Sequence, residues 1–492
     1  KFNFNTVATN PCCFSSKENI YVITNNGIKE IKEVTSNDKI WINESKSWAK
    51  TSGYFNAGKA KIYKVSFKNG EDLFITNNHK LCVVKNERIG TKVIHHEGEL
   101  VPLSELSVGS KIYTHTTKVD EIVFGQYGNY EEGLIIGSMT GDGCLSYRSK
   151  DDKFPATILD FWSQDYETAK ECEKAFNSLG YKISLQKSSC VEGKNRLCSE
   201  TFTKDFVQKY KNNIWLFKSD TEINPFLFKA SKKFIIGYLQ TYFAADGTVQ
   251  YVPQTSYYSV SLASINKNRL KQAKYLLSLF GIKSSISIMK KAGENIINGV
   301  SYNTKDCWRL VLTGIDNLKK FANEIGILNH NKQLQLQKIC NVNQHHQTKN
   351  LAYTEISNIE EYGEDDVGCI EVEQYHKFTA NGIISGNSEI TLSAFDSCRL
   401  MAINLFNFVK NPFTKHASFD FVKFGYIGEI AQRLMDDMID LEAEKIKSII
   451  SKIESDGEDA STKATELELW QNILKYCLLG RRTGLGITGL GD

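Results

Sequence analysis

A cysteine and an asparagine lie at the borders of a segment whose ends could carry out chemistry on the backbone. Cys13 follows another cysteine, and Asn387 precedes Ser388. A thiol can attack the carbonyl of the residue before it and convert that amide into a thioester, and a serine hydroxyl can then receive the acyl group. An asparagine can cyclise through its side-chain amide and cut the bond that follows it. In this order, the three side chains suit an exchange of backbone bonds that needs no cofactor.

Two further groups of polar residues could assist at these borders. In Thr76-Asn77-Asn78-His79, the histidine could protonate the departing amide nitrogen and Thr76 could help to hold the polarised carbonyl. Cys369 and His376 precede the second border, and Cys369 could act as an acid, a base or a secondary thiol. Each residue alone is more often an ordinary polar or buried side chain. The ordered set favours the chemistry.

The elements that must position these residues are predicted to be strands. Residues 18–116 and 350–387 have β character, and Asn26-Gly27 and Asn69-Gly70 predict hairpins with type I′ turns. Residues 36–40 and 108–112 share a weak echo, which indicates a duplicated β unit. The flanks also read continuously across the segment, because removing residues 13–387 joins Cys12 to Ser388.

With these motifs the chain resembles an intein. The resemblance implies an all-β Hint-type splicing domain in two halves, residues 13–125 and 340–387, between host segments 1–12 and 388–492. It implies catalytic roles for Cys13, Thr76, His79, Asn387 and Ser388, with His376 assisting the later steps. Many inteins have His where Gly386 stands and Asp where Cys369 stands, so His376 is expected to carry more of the C-terminal cleavage.

Between the two β regions lies a repeated pattern of helices. Residues 132–140 and 232–244 are predicted helices that end in acidic-glycine turns at Asp142 and Asp246. Strand-like sequence and a second helix follow each turn, at residues 165–180 and 266–281. Small residues in the first pair of helices would let them approach closely.

The paired motif resembles that of LAGLIDADG homing endonucleases. The resemblance implies an α+β domain with a pseudo-two-fold repeat at residues 126–339, acting on double-stranded DNA. Asp142 and Asp246 would hold Mg²⁺, and Lys218 would be an active-site lysine. Lysines between the motifs could contact phosphates or could form a solvated face, and both interpretations stay open; they are Lys182, Lys187, Lys194, Lys204, Lys209, Lys211 and Lys218.

The rejoined flanks resemble the active-site loop of a ribonucleotide reductase of the adenosylcobalamin-dependent class. The resemblance implies that Cys12 is the thiyl-radical cysteine, Glu389 the general base, Asn10 a hydrogen-bonding partner and Cys398 one member of a redox dithiol. It also implies adenosylcobalamin and a ribonucleotide substrate for the complete host. The C-terminal flank is expected to be an α/β fragment, mostly helical, with helices at 426–454 and 461–478.

Composition sets outer bounds on these interpretations. The chain has 492 residues, 41% hydrophobic and 24% charged, with a formal net charge of +3, so we expect several globular domains. Scattered cysteines without zinc spacing favour a reducing cytoplasm, and no segment is apolar enough to predict a membrane span. Two rival hypotheses remain, namely a reductase with an inert insert and a DNA-binding module that no longer cuts.

Overall fold

The computed structural model describes most of the chain in two compact units. Side chains are described for residues 13–84, 98–120, 123–147, 154–188, 192–211, 223–294, 303–342, 353–372, 375–387 and 397–490, and the backbone alone for the strand residues 6–8, 86–89, 92–95, 295–297, 300–302 and 392–393. One unit holds the described residues of Pro11–Phe55 and Lys59–Ser388, and the other those of Lys1–Asn10, Asn56–Gly58 and Glu389–Asp492.

The N-terminal region consists of strands joined by turns and two short 3₁₀ helices, Ile31–Glu33 and Leu103–Glu105. Its strands are β1 (Thr6–Ala8), β2 (Phe14–Ser15), β3 (Tyr21–Thr24), β4 (Gly27–Glu30), β5 (Lys39–Ile42), β6 (Ser47–Phe67), β7 (Asp72–Thr76), β8 (Lys80–Val83), β9 (Asn86–Ile89), β10 (Lys92–His95), β11 (Glu99–Pro102) and β12 (Lys111–Tyr113).

The middle of the chain repeats one order of elements. The first copy has α1 (Tyr130–Thr140), β13 (Cys144–Ser146), β14 (Ala156–Trp162), α2 (Tyr166–Ser178), β15 (Gln186–Lys187), β16 (Lys194–Ser199) and α3 (Phe202–Tyr210). After α4 (Pro225–Phe228), the second copy has α5 (Lys232–Asp246), β17 (Gly247–Val252), β18 (Tyr257–Ser264), α6 (Lys267–Leu279), β19 (Ser285–Lys290), β20 (Gly293–Ile297), β21 (Val300–Thr304), β22 (Cys307–Thr313) and α7 (Ile315–Glu324), followed by α8 (His330–Cys340).

The sheets of the two copies have matching topology. The first runs β13-β14-β16-β15 and the second β17-β18-β22-β19, both antiparallel in every pairing. The predicted two-fold repeat is therefore confirmed, and the four predicted helices appear within a few residues of their expected positions.

Strands return after α8. They are β23 (Tyr353–Val372), β24 (Lys377–Ala380) and β25 (Ile383–Gly386). Together with the N-terminal strands they form a 12-stranded sheet in the order β11-β8-β12-β23-β2-β7-β6-β5-β3-β24-β25, with β4 attached to β3. Because β25 also pairs with β8, the path returns to its own beginning, which leaves fewer unpaired edges.

The repeated region leaves the sheet and rejoins it at one point. Tyr113, the last residue of β12, pairs with Tyr353, the first residue of β23. An insertion whose two ends are adjacent does not force the surrounding sheet apart.

Both predicted hairpins are present, but neither has the predicted type I′ turn. Such a turn needs a positive φ at both central residues, and among the non-glycine residues described here neither Asn26 nor Asn69 has one. Thr24 pairs with Gly27, so Asn25 and Asn26 form the first loop. In the second hairpin only Gly70 takes a positive φ, +83°, in a three-residue loop.

The duplicated β unit expected from the sequence echo has a structural counterpart. β4 leads through the 3₁₀ helix Ile31–Glu33 and a turn into β5, and β11 leads through Leu103–Glu105 and a turn into β12. In both copies the first residue of the 3₁₀ helix is buried and apolar.

Close approach of α1 and α5 forms the centre of the repeated region. A Cβ on Gly133 would lie 2.2 Å from the carbonyl oxygen of Phe234, and a Cβ on Gly137 would lie 2.2 Å from that of Tyr238. Thr241 Oγ1, on α5, donates a hydrogen bond to the carbonyl oxygen of Leu134 at 2.9 Å. Only glycine permits this spacing, which confirms the role predicted for the small residues.

The C-terminal unit contains the predicted helices, both longer than expected. Its elements are β26 (Leu392–Ser393), β27 (Arg399–Asn404), β28 (Val409–Lys410), β29 (Ser418–Phe419), α9 (Phe421–Ser455), α10 (Ala460–Gly480) and β30 (Thr483–Thr488). β27 and β30 pair in parallel, and α9 and α10 form the crossover between them. None of the helices in the described part of the chain is both long and apolar enough to cross a membrane.

The helix crossing gives a stability prediction. In a chain kept whole by Cys13→Ala and Asn387→Ala, Gly137→Ala should destabilise the repeated region by about 1–3 kcal/mol, because the new methyl group meets the backbone of α5. The matched control is Gly293→Ala, where a Cβ has nothing within 4 Å. Differential scanning calorimetry should show a lower unfolding midpoint for Gly137→Ala alone, and equal midpoints would contradict the packing argument.

Candidate functional site

Thr76 forms hydrogen bonds with the backbone of Cys13, the residue just inside the first border. The backbone N–H of Cys13 donates to Thr76 Oγ1 at 3.3 Å, and the N–H of Thr76 donates to the Cys13 carbonyl oxygen at 3.1 Å. The two residues meet because β2 pairs with β7 at Phe14 and Ile75. Thr76 therefore contacts the nitrogen of the Cys12–Cys13 amide, whereas the sequence had suggested its carbonyl; the Cys12 carbonyl lies outside the described residues.

His79 lies beside the same border. Its side chain is fully buried, and the edge of the Phe14 ring lies against it with the ring centroids 4.4 Å apart. The His79 N–H donates to the Thr76 carbonyl oxygen at 3.0 Å, so a tight turn fixes the distance between the two side chains. The structure therefore places a buried imidazole, a group that can transfer protons, against the residue that follows Cys13.

The second border reaches the strand that follows His79. β25 pairs with β8 at Ser385 and Leu81, and Gly386, the residue before Asn387, lies against Lys80, the residue after His79. The Asn387 side chain is buried, and neither its oxygen nor its nitrogen has a hydrogen-bond partner among the described residues. The structure thus brings Cys13 into contact with Thr76, His79 against Phe14, and the residue before Asn387 against the residue after His79.

His376 meets Asn387 through its backbone. The Asn387 N–H donates to the His376 carbonyl oxygen at 3.2 Å, which extends the β24–β25 hairpin by one step. The His376 side chain is exposed, and its backbone has a φ of +51°. The imidazole is therefore close to the border in sequence but open to solvent.

Gly386 is held closely against β8. A Cβ at this position would lie 3.1 Å from Lys80 Cβ and 3.4 Å from both the Lys80 carbonyl oxygen and Leu100 Cδ1. A histidine here, as many inteins have, would require β8 or β11 to shift by a few tenths of an ångström. A glycine here, where the resemblance to inteins would favour histidine, thus fits the local packing.

Cys369 lies in the strand next to the one that follows Cys13. β2 pairs with β23 at Phe14 and Gly368, and the cysteines adjacent to this pair in sequence, Cys13 and Cys369, are both fully buried. Tyr54 packs over this point, with its hydroxyl 2.2 Å from where a Cβ on Gly368 would lie. Burial raises the pKa of Tyr54, its hydrogen bond with Ser16 opposes the rise, and the nearby thiols add to it.

Several residues expected at the sites lie outside the described residues. They are Asn10, Cys12, Lys218, Ser388 and Glu389. Cys398 is described and half-buried, and a Cβ on Gly484 would lie 3.4 Å from its sulfur. Its neighbour Arg399 is buried and forms an ion pair with Glu442 at 2.6 Å.

The two acids of the repeated region lie together where α1 and α5 end. A Cβ on Gly141 would lie 2.4 Å from Ala245 Cβ and 3.7 Å from the carboxyl carbon of Asp246. Asp142 follows Gly141 directly and is exposed, while Asp246 is half-buried. The crossing glycines therefore bring the carboxylates to one edge of the domain.

A lysine that the sequence did not single out lies between these acids. Lys332 Nζ, on α8, donates to the carbonyl oxygens of Ala244 at 2.5 Å and Ala245 at 3.2 Å. Burial lowers the pKa of Lys332, and the carboxylates of Asp165, Asp142 and Asp246 oppose that change in part. Lys332 follows Asp246 by 86 positions on a separate helix, so no local signal pointed to it.

The carboxylates of Asp142 and Asp246 could hold a hard divalent cation that also binds water or substrate oxygens. Two carboxylates at an exposed edge supply oxygen donors of the kind that Mg²⁺ prefers, and this ion usually keeps several waters or substrate oxygens. In the part of the chain that the structure describes, no group of three or more His, Cys, Asp or Glu side chains could hold a metal ion. The remaining ligands would therefore come from a substrate and water.

Comparison with known proteins bears on the repeated region. Residues 233–326 match the family model of the LAGLIDADG-like domain. This match covers the second copy of the repeat, from α5 to α7. Among solved structures, the homing endonuclease I-DmoI in complex with DNA and Mn is 16% identical, with a TM-score of 0.28, and the match covers 40% of this chain and 96% of that one.

Two curated relatives carry very different names. The Bacillus subtilis ribonucleoside-diphosphate reductase NrdEB subunit alpha is 24% identical over 398 residues, covering 72% of this chain and 34% of the relative. The DNA polymerase of Thermococcus sp. (strain GE8) is 26% identical over 344 residues, covering 67% of this chain and 19% of the relative. The chain thus spans about a third of the reductase and about a fifth of the polymerase.

The environment of Lys332 gives a prediction about its titration. Its pKa should lie below the ordinary lysine value of roughly 10.4, and Asp142→Asn should lower it further, because that carboxylate stabilises the ammonium form. NMR of ¹³C-methylated lysines over a pH series would measure the shift. Asp316→Asn, at an exposed site on α7, is the matched control and should leave the value unchanged. A Lys332 pKa at or above the ordinary value would refute the assignment.

Proposed function

We propose that this chain is a self-splicing element, with a site-specific DNA endonuclease inside it, interrupting a ribonucleotide reductase. The observation that carries the proposal is the position of His79. Its ring contacts Phe14, the residue after Cys13, and its N–H donates to the carbonyl oxygen of Thr76. The strand that follows it, β8, pairs with β25, which ends one residue before Asn387. We keep the bounds 13–125 and 340–387 for the splicing domain and 126–339 for the endonuclease.

The two curated relatives support an inserted element. The proposed host segments, residues 1–12 and 388–492, make up fewer than a quarter of the chain, yet each match covers at least 67% of it. Most of each match must therefore fall within residues 13–387. A reductase and a polymerase have unrelated reactions, so a shared segment of this size is better explained by an element found in both.

The first step is an exchange of an amide for a thioester. Cys13 Sγ attacks the Cys12 carbonyl carbon, the C–N bond breaks, and the departing nitrogen becomes the free amine of Cys13. Thr76 Oγ1 already accepts a hydrogen bond from this nitrogen, which holds the amide in place. His79 delivers the proton that the nitrogen needs in order to leave.

The later steps move the acyl group and release the element. Ser388 Oγ attacks the thioester, forming an ester and freeing the Cys13 thiol. Asn387 Nδ2 then attacks its own carbonyl carbon and breaks the bond to Ser388, whose new amine attacks the ester to give a Cys12–Ser388 amide. The buried Asn387 amide has no competing hydrogen bond among the described residues, which leaves it available for this attack.

In the endonuclease, Asp142 and Asp246 would hold Mg²⁺ beside a DNA phosphate. The ion, when bound, supplies activation of a water molecule and stabilisation of the leaving oxygen. Lys332 is placed to hold or transfer a proton at this edge, because a lowered pKa brings a lysine closer to the working pH.

The first antiparallel sheet offers a surface for the DNA backbone. Lys187 is exposed on β15, and Lys194 lies over the Trp162 ring with Nζ 4.5 Å from its centroid. Lys209, by contrast, forms an ion pair with Glu132 at 2.8 Å. Lys187 and Lys194 are thus better placed than Lys209 to contact phosphates.

For the host, we propose a ribonucleotide reductase whose Cys12 and Glu389 are joined only by splicing. The curated relative is named as a diphosphate reductase. Adenosylcobalamin stays a prediction from the sequence resemblance, and no step here depends on it. Cys398 is the described member of the proposed reductase residues.

Splicing is tested by expressing the chain and measuring the masses of its products. The unmodified chain should yield an excised element of 375 residues and a ligated host fragment of 117. Cys13→Ala with Asn387→Ala should leave one full-length species. His79→Ala should slow the first step by about 10²–10⁴-fold, whereas His416→Ala, at an exposed position, should splice normally. A full-length product from the unmodified chain would rule out the proposal.

Nuclease activity is tested on duplex DNA that spans the uninterrupted reductase coding site. Mg²⁺-dependent cleavage should be lost in Asp142→Asn, because one of two metal ligands is weakened. Lys332→Met should reduce the cleavage rate by about 10²–10⁴-fold, and Lys338→Met, exposed on the same helix, is its control. Binding without cleavage by the unmodified protein would favour the rival hypothesis of a DNA-binding module that no longer cuts.

A further inference from the structure

The tip of the β6–β7 hairpin lies against the endonuclease region. The Ile286 N–H, on β19, donates to the Asn69 carbonyl oxygen at 2.9 Å. A Cβ on Gly70 would lie 2.3 Å from the Ile286 carbonyl oxygen, so this glycine is needed for the close approach as well as for its positive φ. The tip is therefore fixed against β19 by its backbone.

A buried charged cluster fixes the same tip against α6. Glu71 is completely buried, and its Oε1 lies 2.7 Å from Lys274 Nζ. The Tyr275 hydroxyl donates to Glu71 Oε2 at 3.0 Å, and Lys274 also donates to the Asn69 carbonyl oxygen at 3.0 Å. Lys271 Nζ lies 3.9 Å from Glu71 Oε2. We call Glu71, Lys274 and Tyr275 the tip cluster.

Removing only one charged member of the tip cluster should destabilise the folded protein. Burial alone would raise the pKa of Glu71, but Lys274, Lys271 and the Tyr275 hydroxyl outweigh it and hold the pKa below its ordinary value. Removing one partner of a buried ion pair leaves an uncompensated charge, whereas replacing both with apolar groups is often tolerated. The cluster therefore fixes one orientation of the hairpin relative to α6.

The orientation of the hairpin sets the position of Thr76 at the proposed splicing site. Glu71 is followed by β7, which runs from Asp72 to Thr76, and Thr76 holds the amide nitrogen of Cys13. The Asp72 carbonyl oxygen also accepts a hydrogen bond from Asn381 Nδ2 at 3.4 Å, in the turn between β24 and β25. The hairpin is thus held by the endonuclease region at its tip, contacts the β24–β25 turn at Asp72, and contacts Cys13 at Thr76.

We propose that Glu71 is a positioning residue for the first splicing step, and that the endonuclease region, through Lys274 and Tyr275 on α6, is a structural part of the splicing site. The inference rests on the proposed splicing function. Misplacement of Thr76 would disturb the Cys13 amide before the acyl shift, because reactions of this kind depend on sub-ångström geometry. The C-terminal step depends on Asn387 and β25 and should be affected less.

The test measures the two steps separately in the full chain. The first step is followed as release of the N-terminal segment by added dithiothreitol in an Asn387→Ala background. The second is followed as C-terminal cleavage in a Cys13→Ala background. Glu71→Gln should slow thiolysis by about 10- to 100-fold and change C-terminal cleavage by less than about threefold.

Two further variants keep the test decisive. Glu355→Gln removes an exposed ion pair with Lys68, in the loop of the same hairpin but outside the tip cluster, and should leave both rates unchanged. The double variant Glu71→Leu with Lys274→Met replaces the buried ion pair with an apolar contact, so the unfolding midpoint of this variant should be near that of the parent chain. The rate of thiolysis in the double variant should still be low. Normal thiolysis in Glu71→Gln and in the double variant would overturn the inference. Absence of splicing in the unmodified chain would instead refute the proposed function itself.

Discussion

The pairing of β25 with β8 is the contact on which the arrangement of this protein depends. It brings the strand that ends next to Asn387 against the strand that follows His79, while the turn from Thr76 to His79 keeps the same histidine close to Phe14, the residue after Cys13. The two ends of a 375-residue segment are thereby joined within one sheet. In the proposed splicing reaction, this buried imidazole would protonate the departing nitrogen at the first border.

The sheet tolerates a large insertion because the insertion starts and ends at one place. Tyr113 and Tyr353 are paired neighbours, so the strands on either side keep their register whatever lies between them. The inserted region is then free to form its own core around α1 and α5, where glycines allow the backbones to touch. That core brings Asp142 and Asp246 together. Both acids are far in sequence from the residues at the proposed splice borders.

Local patterns in the sequence predicted the elements well but not their long-range contacts. The alternating flanks around Asn26 and Asn69 identified both hairpins, yet the turn type was wrong, because the glycine after each asparagine takes a positive φ and the asparagine does not. The acidic-glycine turns identified both acids, since helix, turn and repeat are all local features. Lys332 was missed because it comes from α8, and no spacing rule links that helix to the acids. Lys218, which the sequence favoured, lies outside the described residues and stays a prediction.

The tip cluster gives a physical reason why removal of the inserted region would change the hairpin that contacts it. Without α6, the Glu71 carboxylate would be exposed to solvent and its charge would need no partner, so the sheet could stay folded. The hairpin that carries Thr76 would then lose its anchor, although every residue of the splicing site remained. Stability and positioning thus depend on different contacts in this molecule. Strand pairing within the sheet supplies the first, while a buried ion pair formed with the inserted region supplies much of the second.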